Sequence, residues 1–487
     1  MSVQDSSPQY SYLQPIWHKI RIAARGQEAV KSEVNQTTYL PCPAGYDPSW
    51  YNGALQRAYW LDATGCAERL SQGSIFRKSP TITPDPTEQQ KEFLDSVDKN
   101  GNDLNTFATN VVNDVTKTSY GGILIDYDDT HGQILTQEQA EELGIKARLI
   151  FYPAESIFNP EKNSIRLWEV YHEQIDEFTA EAKKQIKVLD FVFDTDSNKK
   201  VYRQRIFREI ESDKKKKEWL QFGADIFPAW PGGEKLDFIP FQFIGAKNND
   251  SDPDTPILEG LVNANFQHYG LYSDFREALH WIRPITYRTG EVDDAKAPQT
   301  LNSNVMLTSR SPETKFGILE FRGSGLEWDV KALEILEAQM AAMGAEMLKS
   351  KKKASESADK ARIDKSGEAS ILATMANNIS SAITISINIM LKWNGEEGEE
   401  LTYQLNTDYD ATLFDAQLMT SINKSVESGT MSQRSAIHNY KKGELLPDGI
   451  SVEDETLQIE AEASGLGGTE ELHETIRNIV GSMSEET

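Results

Sequence analysis

Three acidic clusters are spaced closely enough to raise the question of cation binding. Asp126, Asp128 and Asp129 form the first, Asp194, Asp196 and Asn198 the second, and Asp98, Asn100 and Asn102 the third. A calcium-binding loop needs glycine at its sixth position and a bidentate glutamate at its twelfth. His131 and Gln137 hold those places after Asp126, Lys199 and Arg205 hold them after Asp194, and Asp103 takes the glycine place after Asp98. Asp and Asn also cap turns through nearby backbone N–H groups, and all three clusters read as turns. His172-Glu173 lacks the second histidine of a zinc-protease helix, and no GxxxxGK[ST] phosphate loop occurs. Gly323 and Gly325 do not extend to a dinucleotide fingerprint. Cys42 and Cys66 form no CxxC pair, which argues against a zinc cluster and for a reducing cytoplasm. The sequons at Asn35, Asn378 and Asn423 would matter only in a secreted chain, and the stretch MSVQDSSPQYSYLQP shows no secretory signal pattern. No catalytic residue, metal or cofactor is expected.

One concentration of charge does suggest a role. Lys349, Lys351, Lys352, Lys353, Lys360, Arg362 and Lys365 lie close together in a chain whose net charge is −26. Proteins that grip DNA by neutralising phosphates carry a basic face, and this chain should repel DNA over most of its surface. Two readings fit: a protein that never meets nucleic acid, or the wall of a channel along which DNA slides without being held. The basic run is correspondingly either a solvated loop or helix end, where the dipole favours cations, or a set of transient phosphate contacts.

The elements around that run are legible from periodicity. Residues 256–282 carry Leu258, Leu261, Val262, Tyr269, Tyr272, Phe275 and Leu279 at helical steps, with Pro256 in the first turn. Residues 326–349 place Leu333, Leu336, Met340, Met343 and Met347 on one narrow packing seam. A strand-and-turn insert, 283–323, separates these helices. Residues 368–393 contain no Gly or Pro. There Ile383, Ile385, Ile387 and Ile389 alternate as in a strand, but Ile371, Met375, Ile379, Ala382, Ile383 and Met390 share a helical face, and a long helix is expected.

Elsewhere the chain reads as α+β with a largely antiparallel sheet. Residues 1–40 look polar and irregular. Helices are expected over 50–70 and 104–117, the second stopped by Gly121 and Gly122. Strands are expected at 123–127, within 147–161, and at 166–171, 188–196, 201–210 and 236–246. Lys214 to Lys217 read as an exposed basic run before a Pro/Gly turn. Residues 401–410 read as a returning strand and 412–428 as a helix. After Gly429-Thr430-Met431-Ser432 comes a second helix, then a solvated acidic tail. With 38% hydrophobic and 26% charged residues, and no run of transmembrane length, no membrane role is indicated.

The order helix, β insert, helix, polar loop, long helix resembles the core of tailed-phage portal proteins. The series YGGILIDYDD, LIFYPAESIFNP, DFIPFQFIGA, PILEGLVNANFQHYGLYSDFREALHW and RPITYRTG, over about residues 100–290, is similar to one branch of that family. The resemblance implies a portal fold with an α/β wing (1–255, with a returning strand in 396–410), a helical stem (256–282 and 326–349) and a small β clip (283–325). It further implies a tunnel loop and long tunnel helix (350–395) and a helical crown (411–487). It implies a closed homo-oligomeric ring, commonly of about twelve copies, at one capsid vertex of a virion assembled in the host cytoplasm. Its partners would be the terminase large subunit, a head–tail adaptor, the major capsid and scaffold proteins, and double-stranded DNA in the channel. The seven basic residues above would then line the tunnel. On the residues alone, two other classes stay open: a soluble acidic enzyme acting on nucleotides or protein, and another head–tail adaptor or scaffold.

Overall fold

A computed structural model describes residues 2–32, 34, 36–45, 47–127, 145–161, 163–194, 198–211, 217–281, 285–289, 313–319, 325–346, 371–396, 398–407, 409, 416–442 and 452–463. The chain divides into two units, 1–407 and 408–487, and its fold is mixed α+β.

The first unit starts with a helix where an irregular stretch was expected. Helix α1 (Pro8–Ala24) forms because the Ser7 side chain accepts from the Tyr10 N–H, Pro8 suits the first turn, and Leu13, Trp17 and Ile20 fall on one buried face. Short helices α2 (Gln27–Val30) and α3 (Gln36–Tyr39) follow. The expected helix over 50–70 is two helices, α4 (Pro48–Arg57) and α5 (Ala63–Ile75). The break has a physical cause: Ala58 turns extended so that Trp60 enters the core, and Lys31 Nζ donates to the freed carbonyls of Gln56 and Ala58. Strand β1 (Thr81–Thr83) and helix α6 (Glu88–Leu94) lead to α7 (Leu104–Thr118). Gly121 and Gly122 do not stop α7; Ser119 does, in the left-handed conformation at φ 55°.

The glycines belong instead to β2 (Tyr120–Tyr127), the centre of a three-stranded antiparallel sheet with β3 (Ala147–Pro153) and β9 (Phe241–Gly245). A Cβ on Gly122 would lie 2.2 Å from Phe241 Cζ, so only glycine lets that ring cross the strand. A five-stranded antiparallel meander runs β4 (Ile157–Glu161), β5 (Ser164–Gln174), β6 (Ala180–Asp194), β7 (Lys199–Glu211) and β8 (Lys217–Ile226). Strand β8 was not expected; of the basic run before it, residues 214–216 lie outside the described residues.

Helix α8 (Glu259–Trp281), strands β10 (Ile285–Thr289) and β11 (Lys315–Leu319), and helix α9 (Leu326–Glu346) come next. Then α10 (Ile371–Trp393) crosses the three-stranded sheet. The isoleucine alternation resolves as helix: Ile379, Ile383, Ile387 and Met390 are buried on one face while Ile385 is exposed. The returning strand β12 is only Thr402–Gln404 and pairs with β1, not with either larger sheet. In the second unit, α11 (Ala416–Glu427) ends at Gly429, with φ 72°, before α12 (Gln433–Lys442). The acidic tail contributes a helix, α13 (Val452–Ala463), where Arg434 of α12 pairs with Glu453.

Candidate functional site

Helices α8 and α9 form an antiparallel pair, and two contacts fix the register. A Cβ on Gly260 would sit 3.9 Å from Met343 Sδ, and His268 Nε2 lies 3.2 Å from Glu337 Oε1. As one number rises the other falls. The root of the pair is built into the core: Leu258, Leu261, Val262, Tyr269 and Met340 pack with Ile20, Trp60 and Ala67. Nearer the other end, Trp328 is 71% exposed and Ile335 59%, with Leu279 exposed opposite. Strands β10 and β11 pair from Ile285↔Leu319 to Thr289↔Lys315 and connect to the outer end of the helices. The result is a two-helix stem with a β pair at its tip.

The expected seam divides along this stem. Leu333 and Met340 are buried, Leu336 is half-buried and Met343 is partly exposed; Met347 lies outside the described residues. Sequence reasoning passed over His268, which is buried and stacked on Tyr272 at 5.5 Å. It also passed over Trp328 and Ile335, whose spacing of seven off the seam was the available signal of a second apolar stripe. The stem is acidic: α9 carries Glu327, Asp329, Glu334, Glu337 and Glu346 against Lys331 alone. Burial, and then the charge of Asp329, push the Asp274 carboxyl above its ordinary value.

Lys349, Lys351, Lys352, Lys353, Lys360, Arg362 and Lys365 all lie outside the described residues, in the segment that joins Glu346 to Ile371.

The acidic clusters separate into different roles. Asp98 is a turn cap, accepting from the Asn100 and Asn102 N–H groups at 2.9 Å each. Asp126 is no turn residue. It sits buried in β2, with Lys187 Nζ at 3.0 Å and Gln204 Nε2 at 2.8 Å. Lys187 also meets Glu169 at 3.1 Å, and Glu169 accepts from Tyr152 and Gln185. Burial alone would lower the Lys187 pKa, but Asp126 and Glu169 outweigh it and hold the ammonium well above its usual value. This network ties the two sheets together. Asp194 pairs with Lys235 at 3.3 Å, and Asp128, Asp129 and Asp196 lie outside the described residues. Among the described residues no three metal-binding side chains converge, and no helix is long and apolar enough to cross a membrane. Cys42 and Cys66 are free and exposed.

A family model described as a domain of unknown function (DUF4055) matches residues 257–394, which run from the root of the stem to the end of α10. No curated protein matches the chain. Among solved structures, a chain from the virion of a native gene transfer agent particle aligns with 8% identity and a TM-score of 0.36, covering 82% of this chain and 94% of that one. A chain from the neck of an empty particle of that kind, computed with C6 symmetry, aligns with 10% identity and a TM-score of 0.38, covering 83% and 94%. At these scores the alignments carry no argument about this chain.

Proposed function

We propose that the chain is the ring-forming portal subunit of a phage-like particle. In this reading the ring sits at one capsid vertex and DNA enters and leaves through its centre. The observation that carries the reading is the order of elements: an antiparallel two-helix stem, a β pair at its tip, and a basic segment leading back to a long helix seated on the body. The acidic stem supports it, because a channel wall that repels phosphates lets DNA slide. Exposed Trp328 and Ile335 support it too, as side chains that neighbouring copies would cover. The β pair and the segment around it serve as the clip, docking the packaging motor and later the head–tail adaptor. The chain does no covalent chemistry; it gates, docks and nucleates the shell. The test is the native mass of the purified chain, with negative-stain images of the same sample. A closed ring of about twelve copies with a central hole is expected. A compact dimer or tetramer without a hole overturns the reading.

A further inference from the structure

The β5–β6 hairpin is an arm without a covering. Residues 172–182 are all exposed, so neither face of its outer half rests on the body. Two strands alone are marginal in water, yet this tip carries Ile175 at 62% exposure and Phe178 at 91%. Hydrogen bonds nonetheless close the tip. Asp176 Oδ1 accepts from the Phe178 and Thr179 N–H groups at 2.9 and 2.8 Å, and the Ile175 N–H donates to the Thr179 carbonyl at 2.9 Å. Phe178 is therefore presented on a hydrogen-bonded turn, as an interface anchor should be.

Like tips repel one another. Glu173, Asp176, Glu177 and Glu181 crowd this end, and Lys183 is already engaged by Glu173 and Glu181. A two-fold contact would oppose these carboxylates across the axis. A head-to-tail contact onto a different surface avoids this, and such contacts close into rings.

A matching surface lies between α1 and α8. A cleft of about 220 Å³ has walls of Pro15, Ile16, Ile20 and Val262, with Lys19 and Asn263 at its rim. The cleft is open to solvent with the buried Ile20 and Val262 at its floor, and its volume exceeds the roughly 150 Å³ that holds a benzene ring. Lys19 Nζ donates to Asn263 Oδ1 at 2.7 Å, which holds the ammonium at the mouth, where acids flanking Phe178 would arrive. Glu259 shares the rim, so the electrostatic share is small and the seated ring carries the contact.

We propose that Phe178 of one copy seats in the α1–α8 cleft of the next copy, making the arm a strap between ring neighbours. This rests on the ring reading above. The test compares three proteins: the wild-type chain, Phe178→Asp, and a Cys42→Ser, Cys66→Ser chain carrying Phe178→Cys and Asn263→Cys. Phe178→Asp touches no packed atom, so its far-UV spectrum and melting point should match wild type while ring formation requires at least roughly ten-fold more protein. The paired cysteines should give a ladder of covalent multimers on oxidation. Wild-type rings with neither effect overturn the strap and leave the ring standing. A wild-type chain that forms a compact dimer or tetramer instead of a ring overturns both.

Discussion

Asn388 holds Leu401 by both of its backbone polar groups. Its side-chain oxygen accepts from the Leu401 N–H at 2.9 Å, and its amide nitrogen donates to the Leu401 carbonyl at 2.8 Å. One turn earlier, Thr384 Oγ1 accepts from the Tyr403 N–H at 2.9 Å; one turn before that, Ser380 Oγ accepts from the Leu405 N–H at 2.9 Å. Four helical residues rise about 6 Å and two strand residues about 6.6 Å, so the two ladders stay in step. Helix α10 thus supplies side chains where β12 would otherwise need another strand.

Replacing Asn388 by Leu should strand both polar groups of the buried Leu401. The expected cost is about 1–3 kcal/mol, read from the denaturant midpoint. Ser381→Ala, on the exposed face of α10, should leave the midpoint nearly unchanged. Equal midpoints for wild type and Asn388→Leu would mean that the ladder contributes nothing.

Lys187→Met should be more severe, because it leaves Asp126 and Glu169 buried without their cation. A loss of roughly 3–5 kcal/mol is expected. The pH response has a definite sign. Burial raises the Glu169 pKa, but Lys187 and the bonds from Tyr152 and Gln185 prevail, so the folded value is lowered. Its stabilisation is present above the ordinary value of about 4.3 and is lost as pH falls through the lower folded value. Lys187 is raised, so its share is present below about 10.4 and is lost as pH rises through the folded value. Stability curves between pH 7 and 3 should fall less steeply in Lys187→Met than in wild type.

Gly245→Ala tests the end of β9. The added Cβ would lie 2.2 Å from the Asn248 carbonyl oxygen and 2.7 Å from Asp254 Oδ2. Backbone must move to admit it, at about 1–3 kcal/mol, whereas Gly73→Ala, with nothing within 4 Å, should be neutral or stabilising. Thermal melts of the two variants make the comparison.

If the chain is the proposed portal subunit, neutralising Lys351, Lys352 and Lys353 to Gln should impair DNA packaging or retention without changing ring mass, because transient phosphate contacts would be lost while the stem is untouched. Particles with normal DNA content would reduce the segment to a linker.

The sequence by itself determined the stem helices, α7, α10 and most strands of the meander, because their apolar residues recur at the period of the element. It also carried the global acidity and the basic segment after the second stem helix. The tertiary structure alone decided the rest. Local periodicity could not show that Trp60 would leave a helix to enter the core, since that requires partners at Phe266 and Tyr269. Nor could it show that Gly121 and Gly122 serve β2, since their reason is the Phe151 and Phe241 rings arriving from other strands. Asp126 looked like a turn because its cation, Lys187, lies sixty-one residues away. Nor could periodicity show that Phe178 is exposed, since that depends on which other elements reach the hairpin tip.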